Sequence, residues 1–89
     1  MKLVLSTHKV TLSSALKSHV RHCIEKLDHQ ETHALKAFVN LERDHTGGSD
    51  RKYACTMKIA LPGQNVVARD SESDLYAAID LVTKKIQSQ

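Results

Sequence analysis

Asp70-Ser-Glu-Ser-Asp-Leu-Tyr-Ala-Ala-Ile-Asp-Leu-Val-Thr-Lys-Lys-Ile86 is the stretch on which the fold turns, because here the apolar spacing returns from two to three and four. Leu75, Ala78, Ile79, Val82 and Ile86 fall on one stripe of a helix, and Ser71 or Ser73 is available as its N-cap. Asp74 near the start, with Lys84 and Lys85 near the end, suits the helix macrodipole. Asp80 and Lys84 stand four apart, the spacing of an ordinary intrahelical ion pair.

Upstream of this helix the period is two. Val66 to Arg69 reads as a strand entered through the reversal Pro62-Gly63-Gln64-Asn65. Before it, Tyr53, Cys55, Met57, Ile59 and Leu61 alternate with Lys52, Ala54, Thr56, Lys58 and Ala60. The cluster Asp44-His-Thr-Gly-Gly-Ser-Asp50 is a turn, and ahead of it Leu35, Ala37, Val39 and Leu41 alternate with Lys36, Phe38, Asn40 and Glu42. These three strands form an antiparallel meander. Asp28 to His33 is a polar connecting loop. A second helical stripe precedes it, made of Leu12, Ala15, Leu16, Val20, Cys23, Ile24 and Leu27, with Ser13 as N-cap and Lys17, Ser18, Arg21, His22, Glu25 and Lys26 on the opposite face. Lys2 to Ser6 is a short first strand. The order βαβββα predicts an α+β two-layer sandwich, a four-stranded sheet with both helices packed on one face, in a single domain over residues 1–89.

Composition bounds the chemistry. With 40% hydrophobic residues, one Pro and three Gly, the chain can bury a core; with two Tyr, one Phe and no Trp, that core is aliphatic. No run approaches the roughly 18 consecutive apolar residues of a membrane span, and Met-Lys-Leu-Val-Leu-Ser-Thr-His8 lacks the apolar stretch of a secretory signal, so a cytoplasmic location is expected. Cys23 and Cys55 lie in register with apolar neighbours and read as buried free thiols. No nucleophile signature, Gly-rich phosphate loop or H-E-x-x-H is present, which argues against an enzyme, a small-molecule substrate or a cofactor. His19 and Cys23 are four apart, as are His29 and His33, but without C-x-x-C no structural metal is expected.

The net charge of +3 is modest, so the placement of the cations matters more than their total. Lys17 and Arg21 are one turn apart on the first helix, Lys26 lies further along it, and Lys84 and Lys85 end the second. Side by side, the two helices would present one positive surface to a phosphate backbone. Lys36, Lys52, Lys58 and Arg69 are placed on strands, facing the open side of the sheet. Phe38 stands alone on its polar face, so base stacking of the kind used by single-strand readers is not expected.

Three segments carry a family resemblance. Val10-Thr-Leu-Ser-Ser-Ala-Leu-Lys17, Ile59-Ala-Leu-Pro-Gly63 and above all Asp74-Leu-Tyr-Ala-Ala-Ile-Asp80 resemble, in order and spacing, the ribosome hibernation promoting factors, the family also known as ribosome-associated inhibitor A or sigma-54 modulation proteins. The resemblance implies a fold like that of a double-stranded RNA-binding domain. It also implies a factor that binds the small ribosomal subunit, within the whole ribosome, in the channel for messenger and transfer RNA. Such a factor inhibits translation in idle ribosomes under stress or in stationary phase, and works alongside a separate ribosome modulation factor in ribosome dimerisation. By position, the implied rRNA contacts are Lys17, Arg21, His22, Lys26, Arg69, Lys84 and Lys85, with Tyr76 anchoring the second helix against the sheet. The chain departs from the family pattern at Cys23, where a basic residue is common, and after Ile86, where a basic run often follows. It resembles the short form, without the C-terminal dimerisation domain. Two other classes remain open: a double-stranded RNA-binding module for another RNA, and a protein-interaction domain whose sheet pairs with a polypeptide.

Overall fold

The computed structural model describes residues 1–30, 33–44 and 52–89. In chain order the elements are β1 (Lys2–His8), α1 (Ser14–Gln30), β2 (Lys36–Arg43), β3 (Tyr53–Leu61), β4 (Gln64–Glu72) and α2 (Leu75–Gln87). The predicted βαβββα order is therefore observed. The strands form one sheet in the order β1-β2-β3-β4. The meander is antiparallel throughout, whereas β1 pairs with β2 in parallel, a connection that needs a crossover and receives it from α1.

Register aligns the two faces. Leu3, Ala37, Ile59 and Val66 form one lateral row, and Leu5, Val39, Met57 and Ala68 the next. On these rows pack Leu16, Val20, Cys23, Ile24 and Leu27 of α1 and Ala78, Ile79, Val82 and Ile86 of α2. The core is aliphatic, as composition predicted, and each fully buried branched or Met side chain contributes on the order of 1.5–3 kcal/mol. Cys23 and Cys55 are both free and buried within it. Thr83 is the buried polar side chain among the described residues; its hydroxyl donates to the Ile79 carbonyl at 2.8 Å.

The differences from the sequence reading lie at element ends. β1 runs on to His8, although alternation fades after Ser6, because β2 continues to offer partners as far as Glu42. β4 runs on to Glu72 because Asp70, Ser71 and Glu72 pair with Cys55, Ala54 and Tyr53. Ser71 is thereby committed to the sheet. The N-cap of α2 is Asp74, in extended backbone (φ −136°, ψ 134°), whose side chain accepts from the Ala77 N–H at 3.3 Å; neither Ser71 nor Ser73 serves. Ser13 does cap α1, its Oγ accepting from the Leu16 N–H at 3.1 Å. Leu12 and Leu35, counted into apolar stripes, precede their elements and stay exposed, and Lys52 likewise lies just ahead of β3. α1 extends to Gln30, into the stretch read as loop. Residues 45–50 of the turn cluster fall outside the described residues. At the other turn, Gly63 takes φ +82° directly after Pro62, the positive φ that a Pro-Gly reversal of type II requires.

Candidate nucleic-acid interface

The buried stripe of α1 divides its remaining surface into two flanks. Lys17 and Arg21, one turn apart, sit on the flank facing β1, around a shallow groove shared with Leu3, Leu5 and Leu12. Lys26 lies on the other flank. It lines a groove between the helices with His19, Cys23, Asp80, Thr83 and Lys84. His22, one turn before Lys26, is exposed on that side, and exposed Glu25 occupies the ridge between the flanks. The helix layer thus carries Lys17, Arg21, His22, Lys26 and Lys84 at its surface, as two groups separated by an acidic ridge.

Two of the predicted contacts are placed elsewhere. Lys85 turns toward the sheet edge, where its ammonium donates to the Arg69 carbonyl at 3.1 Å and lies 3.5 Å from Asp70 Oδ2. Arg69 follows strand parity: Ala68 faces the helices, so Arg69 faces away from them. Its guanidinium lies 3.6 Å from Glu42 Oε1 and 4.0 Å from Asp44 Oδ2 on the open face. Both residues are about half exposed, and such pairs are worth roughly 0–1 kcal/mol. They direct the side chains without locking them.

Asp80 does not serve Lys84 as spacing predicted. It reaches across to α1, where His19 Nε2 is 2.8 Å from Asp80 Oδ1 and the Cys23 thiol is 3.8 Å from the same oxygen. Burial pushes the Cys23 thiol pKa up, partly offset by the neighbouring Thr83 hydroxyl. Tyr76, expected to anchor α2 against the sheet, sets its ring edge-on to the His19 imidazole of the neighbouring helix, centroids 5.0 Å apart at 70°. Asp80 and Tyr76 acquire these partners only through helix packing, and no local pattern marks them. Lys9 and Arg43 line a groove with Ser13, Tyr53, Asp74 and Tyr76 at the end where both helices begin. Lys9 adopts a left-handed φ of 58°, a conformation that disfavours non-glycine residues.

On the open face Phe38 is not alone. Register places it in a lateral row with Val4, Lys58 and Val67, and Val4, Phe38 and Val67 are all exposed. Lys36 and Lys58 hold their ammonium groups 5.4 and 5.5 Å from the ring centroid, within cation–π range. The ring is thus flanked by cations, on the side of the sheet away from the helices.

The model of the family described as Sigma 54 modulation protein / S30EA ribosomal protein matches residues 3–89. The chain belongs to this family. Two curated relatives in Picosynechococcus sp. and Lactococcus lactis subsp. cremoris, each named ribosome hibernation promotion factor, are 28% identical over 90 residues and 29% identical over 93. Each alignment covers all of this chain and 47% of the relative, so this S30EA-family chain spans about half the length of the curated relatives it matches. Among solved structures, the Thermus thermophilus Protein Y N-terminal domain superimposes with a TM-score of 0.83 at 23% identity, covering 100% of this chain and 94% of that one. A ribosomal subunit interface protein from Coxiella burnetii gives 0.85 at 18% identity, covering 100% and 92%. These two likenesses establish the fold.

Proposed function

We propose that this chain is a ribosome hibernation factor that binds the small subunit in the channel for messenger and transfer RNA and keeps idle ribosomes from translating. The observation that carries the reading is the family match over residues 3–89, together with relatives named for ribosome hibernation. The helix layer supplies the physical means. Lys17, Arg21, Lys26 and Lys84 neutralise rRNA phosphates and release counterions, while His22 contributes a hydrogen-bond donor. The inhibition is steric and needs no catalysis: a folded body in the channel excludes the RNAs that would occupy it. Work in the cytoplasm fits this role, and no helix among the described residues is long and apolar enough to cross a membrane. A separate ribosome modulation factor would act beside it where ribosomes pair.

The test is cosedimentation with small subunits, large subunits and whole ribosomes across a salt series. Four phosphate contacts predict a log–log salt slope of about −3 to −4 on small subunits and whole ribosomes. Lys26→Glu with Lys84→Glu, and separately Lys17→Glu with Arg21→Glu, should each weaken binding at least about tenfold and flatten the slope. Arg69→Glu, on the far face, should change it far less. Equal binding to free RNA duplexes would redirect the function to another RNA; salt-insensitive binding untouched by every charge reversal would redirect it to a protein partner.

A further inference from the structure

The geometry points to a divalent transition-metal site of the zinc class between the two helices, with His19, Cys23 and Asp80 as ligands. His19 and Cys23 stand four apart on α1, so both project from adjacent turns toward α2, and Asp80 meets them from the facing helix. One donor atom from each lies within 4.8 Å of the others. A nitrogen, a sulfur and a carboxylate oxygen are the donor types zinc takes, at about 2.1, 2.3 and 2.1 Å. Tetrahedral angles at those lengths put the sulfur and the carboxylate oxygen about 3.6 Å apart and the nitrogen and oxygen about 3.4 Å apart. The observed separations are 3.8 Å for Cys23 Sγ to Asp80 Oδ1 and 2.8 Å for His19 Nε2 to Asp80 Oδ1. The third pair, the His19 nitrogen and the Cys23 sulfur, lies within 4.8 Å and needs about 3.6 Å, so seating the ion opens the His19–Asp80 contact by about half an ångström and draws the imidazole toward the sulfur by up to about 1 Å. Asp80 is half exposed and free to make that movement, while Cys23 is held in the core.

In the metal-free protein a proton bridges His19 Nε2 and Asp80 Oδ1. Metal takes the place of that proton: the imidazole carries its hydrogen on Nδ1, its Nε2 lone pair binds the ion, and the Cys23 thiol releases its proton to solvent as it becomes a ligand. The half-exposed side of the cluster leaves the fourth position to water. Binding two positive charges and releasing one proton raises the local charge by one, in the groove that Lys26 and Lys84 also line. The ion also ties α1 to α2 directly.

The experiment uses the reduced, metal-free 89-residue chain, titrated with Co²⁺ and then Zn²⁺. One Co²⁺ per chain is expected, with a near-ultraviolet thiolate-to-cobalt band, release of one proton, and loss of the band when Zn²⁺ displaces the cobalt. Cys23→Ser should abolish the band, and His19→Ala and Asp80→Asn should each weaken binding at least about tenfold. The variant His29→Ala with His33→Ala, which removes the other histidine pair, should bind as the parent does. Because Asp80 is exposed, Asp80→Asn keeps the fold and remains informative even if Cys23→Ser is destabilised. No binding, binding without the thiolate band, or an affinity that follows His29 and His33 would overturn the assignment.

Discussion

Cys55 sits at the centre of the sheet with its thiol fully enclosed, and burial, reinforced by the nearby Cys23 thiol and Asp70, pushes its pKa from 9.0 to about 12. The unfolded chain gives up this proton near the ordinary value, and the native chain holds it until about 12. Its stabilising effect is therefore complete below about pH 9 and declines as the pH rises from there to about 12. Urea midpoints should be flat on this account from pH 7 to about 8.5 and fall beyond pH 9. In Cys55→Ala the alkaline decline should be shallower, although the variant starts from a lower stability for want of core volume. Parity and helical period made many residues legible in the sequence: Ala37, Val39, Leu41, Met57 and Ile79 are buried as read, although Ala15, counted into the α1 stripe, is exposed and Ala54, read onto the opposite face, is buried. Tyr76, Asp80, Lys85 and Arg69 were less so, because their partners belong to other elements. Spacing names the side of a helix a residue occupies but not what stands opposite.

At the scale of the element, α2 is held by its first and last turns. Asp74→Ala removes the side-chain acceptor for the Ala77 N–H and should cost about 1 kcal/mol in urea unfolding, whereas Ser73→Ala should be close to neutral. Near the other end the two lysines separate. Lys84→Glu faces the interhelical groove and should leave the urea midpoint unchanged within about 0.5 kcal/mol while weakening ribosome association. Lys85→Glu sets a second carboxylate against Asp70 and loses the bond to the Arg69 carbonyl, so it should lower stability by up to about 1 kcal/mol with less effect on binding. A Lys84→Glu variant that binds ribosomes as the parent does would remove the groove from the interface. The ends of elements were the least legible part of the fold: the acidic and serine-rich run from Asp70 resembles a helix opening, yet its first three residues extend β4 because β3 has unpaired partners for them.

On the scale of the whole molecule, the sheet separates two chemically different surfaces. One is the helix layer with its two cationic flanks; the other is an open face where Arg69 is paired with acids and Phe38 lies among lysines. A sequence that alternates in and out assigns strand residues to these faces, and it did so for Lys36, Lys58 and Arg69. It cannot say that β1 joins the sheet beside β2, running parallel. That placement has a kinetic consequence. The meander closes through neighbouring strands, and β3 and β4 are joined by two residues, whereas Ser6 of β1 meets Asn40 only after 34 residues of chain with α1 between them. Loop closure makes such pairing late, so the folding nucleus should lie in β2, β3, β4 and α2, with β1 docking after the transition state. Ile59→Val and Val82→Ala should accordingly slow refolding, with φ-values of about 0.5 or more, while Leu5→Ala should chiefly hasten unfolding, with a φ-value near 0.2 or below. The strand at the start of the chain would then be the last to arrive and, by the same barrier, the first to leave.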